Sequence, residues 1–316
     1  FDAENRYSIV FNGEIYNYQL LRENLYNEGI KFKTQSDTEV VLLGYLKKGI
    51  SFLDSLEGMF SFVIYDSHEH KLFMTRDRLG KKPLYYYKDN EKLVFSSEVQ
   101  GLLKLESLNC SIDEQAYWDY LTFRYVPGEC TTINEIKKFK AGHFANVSSE
   151  TMEIIKYWNI PFSKKLDFTT NQSSLIDDFS SLFKESVKKR LISDVPVGMV
   201  LSGGIDSCAI LYEASKHQSI NSYHVYFENS KSDYNELKYA KLMADHVNSK
   251  LQTVEVNEND FVDYLSKMSA ITDEPLSDLA SIPFKYVCDL AAKDVKVVLS
   301  GEGADEIMAG YGSNSI

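Results

Sequence analysis

The sequence predicts two folds in tandem, an α+β half followed by an α/β half built on a parallel sheet. Three observations predict them. The length, 316 residues, exceeds the ~100–200 residues of one ordinary domain. Between Phe60 and Ser96, short β-type runs follow one another with little but turns between them, the mark of antiparallel pairing. Past residue 165 the rhythm changes to strands alternating with longer helices, which calls for parallel strands with helices on their faces.

The elements follow in order. Residues 7–11 read as a strand, and Asn12-Gly13-Glu14 after it as a turn signal. Leu20, Leu21 and Leu25 carry helical spacing over 18–28. A second helix runs from Thr38 to Lys47, with Asp37 placed to cap its start. Strands are expected at 60–65, 71–76, 84–88 and 92–96, joined by Asp66–Glu69, Gly80 and Asp89-Asn90. The stretch 156–173 reads as a linker. Over 174–192, Leu175, Ile176, Phe179, Leu182, Phe183, Val187 and Leu191 form one stripe of a long amphipathic helix. Then come strands at 195–201, 222–227, 251–256 and 295–299, with helices at 207–216, 235–247, 260–270 and 283–292. Pro283 suits a first helical turn, where a missing N–H costs nothing. The domains are accordingly expected at 1–155 and 174–316.

Composition narrows the function classes. With 44% hydrophobic and 25% charged residues, the chain is neither disordered nor a low-complexity repeat. A formal net charge of -12 argues against a nucleic-acid partner, because phosphate-backbone binding needs concentrated cation. No apolar run approaches the roughly 18–20 residues of a membrane span, and no signal peptide opens the chain, so a cytoplasmic location is expected. Cys110, Cys130, Cys208 and Cys288 show no CxxC spacing, which suggests neither zinc nor a disulfide framework. Cys208 reads as a small buried residue. The six histidines show no paired ligand spacing and are expected in surface or core roles. The chain opens at Phe1 without methionine and stops at Ile316 after a polar loop, which reads as a piece cut at both ends.

The strongest local feature is Leu201-Ser202-Gly203-Gly204-Ile205-Asp206-Ser207. An apolar strand enters a glycine turn, and a helix follows at once. Such a junction lets backbone approach a ligand and aims first-turn N–H groups at an anion. Ser202 and Ser207 add hydroxyls, and Asp206 offers a carboxylate where a divalent metal bridges phosphates. No lysine follows the glycines, so this is not the GxxxxGK[ST] loop; it suits a grip on pyrophosphate. A second loop, Ser300-Gly301-Glu302-Gly303-Ala304-Asp305-Glu306, also leaves a strand end. Ligands in open α/β sheets sit beyond the carboxyl ends of the strands, so both loops are expected to open onto one crevice. Three acids near a triphosphate call for magnesium between them. In the first half, Asn12 beside Gly13 can form an oxyanion hole, and Glu14 with Asp37 can hold an ammonium group. From the residues alone, Asn-Gly-Glu is also an ordinary turn.

Asn12–Asn17, Ser36-Asp37, Gly58–Phe62, Arg76–Gly80, Ser97-Glu98, Ser202–Ser207 and Ser300–Tyr311 stand in an order and spacing that resembles the glutamine-hydrolysing asparagine synthetases, across essentially the whole chain. The resemblance implies an N-terminal-nucleophile glutamine amidotransferase domain, an αββα sandwich, followed by an ATP-pyrophosphatase domain. It assigns Asn12 and Gly13 to the oxyanion hole and glutamine contact, and Glu14 and Asp37 to the glutamine α-amino group. Leu201 and Val225 would line the ATP site, with Ser202, Gly203, Gly204, Ile205, Asp206 and Ser207 as the pyrophosphate loop. Ser300 and Gly301 would also contact the nucleotide, Asp206 and Asp305 would bind Mg2+, and Glu302 would act at the activated carboxylate. Asp273–Asp278 also resembles the family.

The implied reaction uses glutamine, aspartate and ATP. It forms a β-aspartyl-AMP, releases pyrophosphate, and yields asparagine and AMP. The implied nucleophile is an N-terminal cysteine, and none of the four cysteines stands in a matching position, so this chain is expected to lack glutaminase activity. Two alternatives remain open at this point: a related amidotransferase acting on another carboxylate, such as a cell-envelope sugar acid or a β-lactam precursor, and a non-catalytic binding homologue. A homodimer is one outcome the sequence leaves open.

Overall fold

The computed structural model describes residues 5–161, 171–227 and 236–311. The chain divides into two compact units, residues 1–166 with 272–277, and residues 167–271 with 278–316.

The first unit begins with β1 (Tyr7–Ile15), α1 (Tyr18–Asn27), α2 (Asp37–Lys48) and a 3-10 turn over Gly49–Ser55. Next come β2 (Gly58–Asp66), β3 (Lys71–Arg76), β4 (Tyr85–Lys88) and β5 (Leu93–Ser96). It continues through α3 (Val99–Leu103), α4 (Glu114–Phe123), β6 (Ile136–Lys138), β7 (His143–Val147) and β8 (Met152–Lys156). Five strands form an antiparallel sheet in the order β1-β2-β3-β7-β8, and three form a second in the order β5-β4-β6.

Strand periodicity sets the layers. Successive side chains leave opposite faces, so Phe60, Phe62 and Ile64 of β2 meet Leu21, Leu25, Val40 and Val41 from α1 and α2. Between them, Val63 turns the other way and packs with Met74, Leu84 and Phe139, against Tyr86 and Phe95 of the smaller sheet. The far face of that sheet, through Ile136, buries Val99 and Leu102 of α3. Helix, sheet, sheet and helix thus form the expected αββα sandwich.

The second unit carries α5 (Gln172–Arg190), β9 (Val197–Val200), α6 (Ile205–Ser215), β10 (Asn221–Phe227), α7 (Leu237–His246) and β11 (Leu251–Val256). It closes with α8 (Glu258–Ile271), α9 (Ser281–Ala291), β12 (Val297–Leu299) and α10 (Ala304–Met308). Its four strands are all parallel, in the order β11-β10-β9-β12. Met199 and Leu201 pack with α5, α6 and α7 on one face. Tyr223 and Val225 pack with Val287 and Ala291 of α9 on the other.

Three expectations need correction. Asn12-Gly13-Glu14 is not a turn: β1 runs straight through it, pairing Asn12 with Ser61, Gly13 with Phe60 and Glu14 with Met59. Long-range pairing outweighs the local Asn-Gly preference. Asp37 does not cap α2; Ser36 does, its hydroxyl accepting from the Thr38 N–H, and Asp37 is the first helical residue. The stripe of α5 is only partly buried. Val187 is buried, with Phe183 and Leu191 packed beside it, whereas Leu175, Ile176, Phe179 and Leu182 are exposed. Strands β6, β7 and β8 and helices α3, α4 and α10 are additions. The expected linker lies partly outside the described residues, as does the first residue of the helix expected at 235–247.

Candidate functional site

In the second unit, neighbouring strands carry the two predicted loops to one edge of the sheet. β9 and β12 pair directly, with Leu299 opposite Met199, so their carboxyl ends lie side by side. The loop after β9 enters the N-terminus of α6, capped by Gly204. Gly203 adopts φ +97°, a conformation costly for any residue with a Cβ, and a Cβ there would also lie 2.7 Å from the Glu236 carbonyl oxygen. Ser202 Oγ and Ser207 Oγ are 2.9 Å apart. Ser202 Oγ accepts from the Gly204 N–H at 3.1 Å, and Ser207 Oγ donates to the Gly204 carbonyl at 3.1 Å.

The loop after β12 touches this one through Gly301. A Cβ added there would lie 3.1 Å from the Ser207 backbone nitrogen and 3.3 Å from Asp206 Cβ. Asp206, Ser300, Gly301 and Asp305 are half-buried, while Ser202, Ile205 and Glu302 form an exposed rim. Tyr311 reports the local charge. Its hydroxyl donates to Glu306 at 2.8 Å, and that bond, with burial and the nearby Glu306, Asp305 and Glu302 carboxylates, pushes the phenol up to about 12. Leu201, at the end of β9, and Val225, on the adjacent strand β10, stand at the same edge, but their side chains enter opposite clusters.

These residues fit a nucleotide's phosphates. Hydroxyls, first-turn amides and a helix dipole converge without a bulky side chain in the way. Among the described residues, no three His, Cys, Asp or Glu side chains gather closely enough to hold a metal ion. Asp206 after β9 and Asp305 after β12 are the carboxylates available here, and magnesium commonly binds through one or two carboxylates with its other ligands from phosphate and water.

In the first unit, α2 brings Asp37 to β1, the strand that carries Asn12, Gly13 and Glu14. The Ile15 N–H donates to Asp37 Oδ2 at 3.1 Å, which places Asp37 beside Glu14. Gly13 is required by close approach, since a Cβ would sit 2.7 Å from Phe60 Cα. Asn17, at the end of the same motif, pins the neighbouring turn by donating to the Ser55 carbonyl and accepting from the Glu57 N–H.

The Arg76–Gly80 motif is an internal scaffold. Asp77 is 3% exposed and accepts from the N–H groups of Phe60, Leu79, Lys81 and Lys82 at 3.0–3.2 Å. Arg76 donates to the carbonyls of Lys82, Phe139 and Gly80, and burial pushes its guanidinium below the ordinary value. Residues 272–277 belong to this unit as well. Glu274 accepts from Lys138 at 2.8 Å, and Asp273 from the Gln100 N–H at 3.1 Å. Cys110 is exposed and Cys130 half-buried, the latter bridged to Lys137 near the smaller sheet. Cys208 is half-buried rather than buried. Sequence reasoning passed over His224, whose imidazole bonds the Leu201 carbonyl at the loop entrance. Its position beside Val225 was the available signal.

The fold is an αββα sandwich joined to an α/β unit with a parallel sheet. Comparison with known proteins narrows it. Residues 1–158 match the glutamine amidotransferase domain family, and residues 178–315 match the asparagine synthase family. The chain is 36% identical over 310 residues to asparagine synthetase [glutamine-hydrolyzing] 1 of Bacillus subtilis, covering 98% of this chain and 48% of that protein. It is 34% identical over 307 residues to a putative asparagine synthetase [glutamine-hydrolyzing] 2 of Methanocaldococcus jannaschii, covering 96% and 58%. Against asparagine synthetase B [glutamine-hydrolyzing] of Escherichia coli it is 30% identical over 332 residues, covering 98% and 53%. The chain belongs to the glutamine-hydrolysing asparagine synthetase family, and it spans about half the length of these curated relatives.

Proposed function

We propose that the protein takes part in glutamine- and ATP-dependent amidation of aspartate to asparagine, through a β-aspartyl-AMP with release of pyrophosphate and AMP. The observation that carries this reading is the meeting of the β9 and β12 loops at Gly301. In this reading the amidotransferase domain spans 1–155, a linker 156–173, and the synthetase domain 174–316. No helix among the described residues is long and apolar enough to cross a membrane, and the enzyme works in the cytoplasm.

Each residue has a physical task. Ser202 and Ser207, with the N–H groups of Gly203 and Ile205 on either side of the Gly204 cap, hold the β- and γ-phosphates and stabilise charge as pyrophosphate leaves. Asp206 and Asp305 hold Mg2+, which when bound draws charge from the phosphate oxygens. Ser300 and Gly301 bound the nucleotide from β12, and Leu201 and Val225 flank it. The aspartate side-chain carboxylate attacks the α-phosphorus. Glu302, on the exposed rim, accepts a proton from ammonia as it displaces AMP.

In the first unit, Asn12 and Gly13 stabilise the oxyanion of glutamine hydrolysis, while Glu14 and Asp37 bind the glutamine ammonium. The four cysteines do not join that set, so this chain is proposed to release no glutamate from glutamine. Glutamate release abolished by mutating Cys110 or Cys130 would contradict that statement. The main reading is tested by pyrophosphate release with ammonia as nitrogen source across candidate acids. Release should depend on aspartate; release independent of any carboxylate overturns it.

A further inference from the structure

We infer that Nε2 of His224 accepts a hydrogen bond from the nucleoside part of the bound nucleotide, through a ribose hydroxyl or the adenine amino group, and so sets which nucleotides the crevice accepts. This rests on reading the crevice as a nucleotide site, and it adds a recognition residue that the pyrophosphate loop does not contain.

The argument begins with register. The Leu201 N–H bonds the Tyr223 carbonyl at 2.9 Å, so His224 stands level with the point where β9 becomes the Ser202–Ser207 loop. That is the carboxyl edge of the sheet, where ligands of open α/β folds lie. The side chain is 4% exposed, and its Nδ1 lies 2.7 Å from the Leu201 carbonyl oxygen. A carbonyl only accepts, so Nδ1 carries the proton. Burial pushes the imidazole below its ordinary value against the raising effects of the Leu201 bond and Glu236, which keeps the ring neutral. A neutral ring protonated at Nδ1 leaves Nε2 as a bare acceptor.

That acceptor has no partner among the described residues, although it is buried. Such orphans are rare in folded proteins and ask for an explanation. Glu236 and Lys241 of the α7 region lie close enough to act on the ring electrostatically, and Gly203 packs against the Glu236 backbone. His224 therefore lies between the phosphate loop and the start of α7. The chemistry then selects the ligand group. Ionised phosphate oxygens only accept, so they gain nothing from Nε2. Donors on the nucleotide are confined to the ribose hydroxyls and the exocyclic amine.

The test is a set of calorimetric titrations of the 316-residue chain with Mg-ATP, its 2′-deoxy and 3′-deoxy analogues, purine riboside triphosphate and inorganic pyrophosphate. These are run on the wild type, His224→Phe and His224→Gln. In the wild type, the analogue lacking the relevant donor should bind about tenfold more weakly than ATP. The analogue that does so separates a ribose contact from an amine contact. His224→Phe should erase that difference while leaving pyrophosphate binding unchanged, and His224→Gln, which keeps an acceptor, should restore part of it. Should His224→Phe fail to fold, 15N-imidazole resonances of the wild type decide: ATP should shift bare Nε2, and pyrophosphate should not. Analogue penalties that persist in His224→Phe, or an Nε2 resonance unmoved by ATP, overturn this inference alone. A wild type that binds neither Mg-ATP nor pyrophosphate overturns the nucleotide-site reading and this inference with it.

Discussion

Asp77 shows how much one side chain can fix. Its carboxylate accepts three backbone N–H groups in the turn after β3 and a fourth from Phe60 of β2, tying that turn to the strand. Removing it leaves those donors facing a buried gap. Asp77→Ala should cost roughly 3–5 kcal/mol of stability in urea denaturation, and a loss under about 1 kcal/mol would contradict the role. Arg6 and Asp66 pair through two hydrogen bonds, 2.9 and 2.6 Å long, where β1 meets β2. The Arg6 bond, opposed by burial and aided by the Glu69 and His68 N–H groups, holds the Asp66 carboxyl well below the usual carboxylate range. A depressed folded value means stability that is present above the unfolded pKa of about 3.9 and lost as pH falls through the folded one. The Tm gap between wild type and Asp66→Asn should thus be constant from pH 7 to about 5 and shrink below about 4. A gap that widens in acid would contradict this sign.

Among the elements, α5 separates pattern from packing. Its sequence carries an apolar stripe along nearly its whole length, but only the Phe183–Leu191 end joins the cluster with α6 and α7. Val187→Ala should cost roughly 1–3 kcal/mol, while Leu175→Gln should stay within about 0.5 kcal/mol; equal losses in thermal melts would contradict that division. The alternation of strands and helices from 174 to 299 was legible because each element has a strong period and each loop has turn chemistry. The Ser202–Ser207 loop was legible for the same reason, since its serines and glycines stand between an apolar strand and a helix. What escaped depends on distant partners. Asn12-Gly13-Glu14 has local turn chemistry, and only β2 makes it strand. Asp37 resembles a cap, but Ser36 takes that place and leaves Asp37 to bond the Ile15 N–H. His224 carries no motif; its burial and its bond to Leu201 appear only once β9 and β10 are paired.

For the molecule as a whole, the chain carries two cores of different logic. The first is a sandwich in which antiparallel strands present one face to helices and the other to a second sheet. The second is a parallel sheet that collects loops at one edge. The proposed catalytic site stands on that edge, where the loops after β9 and β12 meet at Gly301. Calorimetric titration of Mg-ATP into the wild type, Asp206→Asn, Asp305→Asn and the double variant tests this most directly. Each single change should weaken binding about tenfold, and the double should weaken it by clearly less than the product, as expected for two groups serving one ion. Tight Mg-ATP binding untouched by either change, or two losses that multiply independently, would contradict a shared site.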